Sequence, residues 1–173
     1  PIRATGKHGV DLLVYLLDKD KGTVKTADVQ MPADRRKQTL LHLTRPAGRG
    51  VFAVLFPTLP DDAAPTLTPL QNAGVKVQSG DRVDWVYLPE AKGSLAVEGI
   101  IFNGAGSAIV SRRSAETYMM LERSGAVQAF GLTVTSSAPV ELTAAGGVLH
   151  GYVALKDTRP RVTLGGPLAQ RLV

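Results

Sequence analysis

An all-β fold is what this sequence predicts: a two-sheet antiparallel β-sandwich, jelly-roll-like or supersandwich in type, with about a dozen strands. Two observations predict it. Short apolar or alternating runs are separated by Gly, Pro, Asp and Asn all along the chain, which is the mark of consecutive strands and not of βαβ units. Of 173 residues, 44% are hydrophobic and 20% charged, and a chain of this length buries roughly 70% of its unfolded surface, enough for a core without staples.

Val10 to Leu17 is the first strong run, closed by the polar turn Asp18-Lys19-Asp20-Lys21-Gly22. Val24 to Val29 then alternates as a half-exposed strand does. Met31 to Gln38 is the one stretch allowed a helical turn, with Pro32 suited to its first position. Thr39 to Thr44 is expected to pair with Val51 to Phe56 across Pro46, Gly48 and Gly50, and the apolar second run is expected inside a sheet packed on both faces or against another domain. Pro57 to Asn72, with four prolines, reads as a semi-rigid irregular arm. Strands resume at Val75 to Gln78 and Val83 to Leu88. Leu95 to Phe102 and Ala108 to Arg112 flank Asn103-Gly104, a dipeptide suited to a type I′ turn, so these two runs are expected to form a hairpin. Thr117 to Glu122 is ambiguous between helix and strand; Gly125 follows too soon for a helix of normal length, and it reads as a strand. Val127 to Thr135, Val140 to Thr143, Leu149 to Leu155 and Arg161 to Leu164 complete the series. No internal repeat and no composition shift is visible, so residues 1–173 read as one domain. The chain begins at Pro1, from which a piece of a longer product is expected.

There is no cysteine, which excludes disulfides, thiolate metal sites and a cysteine nucleophile. No apolar run has the length of a membrane-spanning helix. The net charge of +5 favours anionic partners. The basic clusters Lys19, Lys21 and Lys25, then Arg35, Arg36 and Lys37, then Arg112 and Arg113 lie beside turn-like sequence and read as solvated strand ends. Aromatics make up 5% of the chain and are not interleaved with these clusters, so neither nucleic acid nor membrane is the expected partner.

Catalytic motifs are missing. Gly104-Ala105-Gly106 lacks the third glycine and following helix of a dinucleotide fingerprint, and there is no Walker A loop, H-E-x-x-H or G-x-S-x-G. His8, His42 and His150 lie on separate segments and form a metal site only if the fold gathers them. The Asp18-to-Gly22 segment has its glycine one position too early for a calcium loop and carries two lysines. Asp81, Asp84 and Glu90 are candidate acid–base carboxylates of low specificity. No metal and no cofactor is expected. Trp85 shares one strand face with Val83 and Tyr87, where a core role outweighs sugar stacking.

The succession Asp11-Leu12-Leu13-Val14-Tyr15-Leu16-Leu17, Val51-Phe52-Ala53-Val54-Leu55-Phe56-Pro57, a proline-rich arm and Gly74-Val75-Lys76-Val77-Gln78-Ser79-Gly80-Asp81-Arg82-Val83-Asp84-Trp85-Val86 resembles the β-sandwich region of heparinase II/III-like polysaccharide lyases. Gly99 to Phe102 and Ala108 to Arg113 fit the same pattern. The resemblance implies an accessory domain beside an α/α toroid, in an exported or periplasmic protein that cleaves uronic-acid-containing chains by β-elimination. It carries over no catalytic residue, because no Tyr or His here matches a family motif, and the zinc-binding histidines of some members have no counterpart. Arg82, Trp85, Arg112 and Arg113 are the candidate substrate-binding residues, toward an acidic polysaccharide. Two alternatives stand beside it. One is an autonomous carbohydrate-binding or adhesion module, favoured if Trp85 and Tyr87 are exposed. The other is a small enzyme of cupin or jelly-roll type, which requires two histidines and a carboxylate inside the sandwich.

Overall fold

The computed structural model describes residues 2–5, 9–16, 22–30, 37–44, 46, 52–59, 61–71, 74–89, 92–154 and 159–171. Among them there is no α-helix, and every strand pairing is antiparallel. The fold is all-β, with 17 strands among the described residues where a dozen were expected. Two runs that read as one strand each fold as two, and Ile2–Ala4 and Thr66–Leu70 are strands where none was expected. The chain divides into two compact units, Pro1–Asp62 and Ala63–Val173.

In the first unit, β1 (Ile2–Ala4), β2 (Asp11–Leu16) and β5 (Ala53–Thr58) form a sheet in the order β1-β2-β5, and β3 (Thr23–Gln30) pairs with β4 (Lys37–Thr44). The expected pairing of Thr39–Thr44 with Val51–Phe56 is therefore corrected: β4 takes β3, its sequence neighbour, and β5 takes β2. Nor does β5 lie inside a sheet. It is an edge strand whose residues alternate in exposure, with Leu55 61% exposed. Asp11 is buried and receives the Arg3 guanidinium at 2.7 Å across the β1–β2 pair, so its charge is compensated where an unpaired one would be costly. The expected helical turn over 31–38 lies largely outside the described residues.

The proline-rich arm is shorter than expected. Strand β5 runs to Thr58 and β6 starts at Thr66, and the turn between is fastened by the Asp62 carboxylate, which accepts from the Leu59 amide at 3.0 Å.

The second unit is a sandwich of two sheets. One has seven strands, β6 (Thr66–Leu70), β7 (Gly74–Ser79), β8 (Arg82–Tyr87), β11 (Ala108–Arg113), β12 (Glu116–Leu121), β15 (Val140–Ala145) and β16 (Val148–Val153), in spatial order β16-β15-β12-β11-β8-β7-β6. The other has five, β9 (Gly93–Val97), β10 (Ile100–Gly104), β13 (Gly125–Ala129), β14 (Leu132–Ser136) and β17 (Val162–Gly165), in order β17-β14-β13-β10-β9. The chain lays down one hairpin in the first sheet, crosses, lays down one in the second, and crosses back.

This winding has a repeat that the residues conceal. Two-residue turns fall at Gly80-Asp81, Glu98-Gly99, Ser114-Ala115, Phe130-Gly131 and Gly146-Gly147, the last four at a constant interval of 16 positions. Arg113 lies opposite Arg82 and Thr117 opposite Ala144, so the turns of the seven-stranded sheet share one end. Ile101 opposite Gln128 puts the turns of the five-stranded sheet at one end too. The crossings at 105–107, 122–124 and 137–139 occupy the other end. At Glu98-Gly99, Phe130-Gly131 and Gly146-Gly147 both residues have positive φ, the type I′ geometry whose twist matches that of the flanking strands.

Two expectations are corrected by this layout. The hairpin of the 95–102 run turns at Glu98-Gly99, whereas Asn103-Gly104 belongs to β10, and Ala108–Arg113 passes to the other sheet. Likewise Val127 to Thr135 is two strands folded at Phe130-Gly131.

The core fills the space between the sheets. Tyr87 from the seven-stranded sheet stacks on Phe102 from the five-stranded one, centroids 5.4 Å apart and rings within 9° of parallel. Val110, Met119, Ile100, Val127, Leu132 and Val134 surround them, all nearly inaccessible. Burial of large aliphatic and aromatic side chains at about 25 cal/mol per Å2 is the main source of stability here. Burial also pushes the Tyr87 hydroxyl pKa above its ordinary value.

Candidate functional site

Alternation along β8 sends Val83, Trp85 and Tyr87 inward and Arg82, Asp84 and Val86 outward. In β11, Val110 and Arg112 point inward and Ser111 and Arg113 outward. The four sequence-selected residues therefore fall on two faces: Trp85 and Arg112 inside, Arg82 and Arg113 outside.

The inward pair belongs to one cluster at the turn end. Trp85 is 6% exposed. Its indole Nε1 donates to the Glu98 carboxylate at 3.1 Å, and the Lys76 ammonium, which donates to the same carboxylate at 2.7 and 2.9 Å, stands 5.6 Å from the indole ring. Phe130 also packs against the indole, its ring centroid 5.7 Å from that of Trp85. The Arg112 guanidinium lies 4.8 Å over the Phe130 ring and donates to the hydroxyl of buried Thr117. Glu98 and Phe130 are the first residues of the two type I′ turns of the five-stranded sheet, so successive turns bracket one tryptophan. Hydrogen bonds, first from Lys76 and then from Trp85, hold the Glu98 pKa below the usual carboxylate range. Neither Glu98 nor Phe130 was singled out from the sequence. The signal was an x-Gly dipeptide inside each alternating run, and at Glu98-Gly99 it was overshadowed by the stronger Asn103-Gly104 nearby.

On the outer face Arg82 and Arg113 are direct cross-strand partners. Two like charges in that position repel, and each is neutralised locally: Arg82 by Asp84 at 2.8 Å and Arg113 by Asp81 at 3.2 Å. The Arg82 guanidinium also reaches the buried Ser111 hydroxyl at 3.5 Å. Both arginine side chains remain more than half exposed, so their planar donor forks are accessible to a carboxylate or sulfate.

Further along this face, Tyr118 donates to Glu141; burial first, and Glu141 second, raise the Tyr118 pKa. His150 stands exposed on β16 opposite Thr143, outside the sandwich interior, and His42 is exposed on β4. His8, Glu90 and Asp18 to Lys21 lie outside the described residues. Among the described residues no group of three or more His, Asp and Glu side chains could hold a metal ion. At the crossing end, a hollow of about 350 Å3 on the five-stranded sheet is lined by Lys92, Asn103, Ser124 and Thr135 over Gly104 and Gly125.

Comparison of this chain with protein-family models, with curated proteins and with solved structures finds no match to any of them.

Proposed function

We propose that this chain is an accessory, non-catalytic β-sandwich region of a polysaccharide-lyase-like protein acting on uronic-acid-containing polysaccharide, exported or periplasmic, and working beside an α/α toroid. The observation that carries the reading is the exposed Arg82–Arg113 pair on the outer face of the seven-stranded sheet. Two guanidinium forks side by side suit the regularly spaced carboxylates of an acidic polymer. Burial of Trp85 and Tyr87 supports it as well, since these aromatics serve the core and not an open stacking platform.

The test is a titration of the 173-residue chain with a polygalacturonate oligomer, followed by backbone amide NMR. Shifts concentrated at β8 and β11, abolished in the Arg82→Gln/Arg113→Gln double variant, support the reading. Unchanged affinity in a folded double variant overturns it. An autonomous carbohydrate-binding module is the second reading, and one observation favours it: Tyr152, on the same outer face, is 80% exposed.

A further inference from the structure

Strands β12, β15 and β16 place Met120, Glu141 and Tyr152 side by side, because Met120 is registered with Glu141 and Glu141 with Tyr152. Beside this row lies an open groove of about 460 Å3 toward the crossing end, whose apolar lining includes Pro139 and Val153. Grooves of this size accommodate small ligands. Tyr152 is the most exposed large hydrophobic side chain of the described residues, and it offers a ring face to the C–H surface of a sugar.

Among the described residues that line the groove, Glu122 and Glu141 are charged and no Lys or Arg is present. Glu122 accepts from the Ser107 amide at 3.1 Å and the Ser107 hydroxyl at 2.6 Å, and these bonds hold it ionised by lowering its pKa. Glu141 accepts from the Tyr118 hydroxyl and keeps further acceptor capacity. Arg123 acts on Glu122 as well; in a chain of net charge +5, the recess itself presents two carboxylates beside an aromatic wall. A uronate brought here meets two carboxylates, whereas an ammonium gains both charge-assisted hydrogen bonds and attraction to the tyrosine ring.

We propose that this groove binds a sugar residue bearing a free amine, its ring against Tyr152 and its ammonium between Glu122 and Glu141. This rests on the reading that the chain faces polysaccharide, and it gives an amine-bearing sugar a place distinct from the arginine pair. The pyranose stacks through its apolar face on an apolar floor, and the two carboxylates select for the charged nitrogen.

The test is calorimetric titration of the 173-residue chain with glucosamine oligomers, with N-acetylglucosamine oligomers of equal length and with polylysine. Binding of the free-amine oligomer with at least about tenfold preference over the acetylated one is expected, the discrimination that one hydrogen bond to a charged group supplies. Tyr152→Ala should abolish binding, Tyr152→Phe should retain it, and Glu141→Gln should weaken it about tenfold. Equal affinity for both oligomers overturns the ammonium assignment, and polylysine competing as well as the sugar overturns the sugar assignment. No binding by a folded chain overturns both. Polygalacturonate binding on the same sample separates this failure from failure of the uronate reading, because that binding depends on Arg82 and Arg113.

Discussion

The carboxylate of Glu98 accepts a hydrogen bond from the indole of Trp85 at 3.1 Å while it pairs with Lys76 at 2.7 Å. A residue in a two-residue turn of one sheet thus holds the tryptophan of the other. Because the Glu98 pKa is depressed in the folded state, chiefly by Lys76, its contribution is present above the unfolded value near 4.5 and is lost as pH falls through the lower folded value. Glu98→Gln should lower stability by about 1 kcal/mol at neutral pH. In urea titrations, the difference between wild type and variant should shrink as pH drops below that value. A difference constant from neutral to acid pH contradicts this assignment.

Phe130 sits at φ 48° in the first position of its turn, a conformation that a bulky side chain rarely adopts and that costs on the order of 1 kcal/mol. Contacts with Trp85 and Arg112 offset that strain, by about 0.5–1.5 kcal/mol for the aromatic pair and about 0.5–1 kcal/mol for the cation over the ring. Phe130→Ala keeps most of the strain and loses the contacts; Phe130→Asn loses the contacts and relieves strain. Thermal unfolding should rank wild type above Asn and Asn above Ala. Ala more stable than Asn would show that the backbone at 130 is not strained.

Gly151 lies in β16 opposite Leu142, and a Cβ there would collide with the Leu142 side chain and the Glu141 carbonyl oxygen. Gly80 has φ 58° and open space around it. Gly151→Ala should therefore destabilise by about 1–3 kcal/mol through overpacking, whereas Gly80→Asn should change stability by less than about 0.5 kcal/mol, since Asn tolerates that φ. Similar denaturation midpoints for the two variants would contradict the register assigned to β15 and β16.

Leu95 sits across from Phe102 within one hairpin, although the sequence reads 95–102 as a single strand. Alternation makes the strand character legible there, because Leu95, Ile100 and Phe102 face the core. The turn stayed hidden because Glu98 is an unusual choice for a positive-φ position and draws its support from Lys76 and Trp85, which lie far off in sequence. Phe130 hid the β13–β14 turn in the same way. The burial of Trp85 and Tyr87 was legible from β8 alone. The separation of Arg112 from Arg113 was also legible in principle, since neighbours in a strand point to opposite faces. Tyr152 was not, because its exposure depends on β16 being the edge of the seven-stranded sheet, a matter of topology.

The central claim, that the outer-face arginines meet an acidic polymer, is tested most directly by the salt dependence of binding. Titrating the chain with a uronate polymer at low ionic strength and at about 0.5 M salt should show binding that is strong in the first condition and lost in the second, as exposed guanidinium–carboxylate contacts are screened. The Arg82→Gln/Arg113→Gln variant should bind in neither. Binding that survives high salt, or that the double variant retains, would contradict the claim.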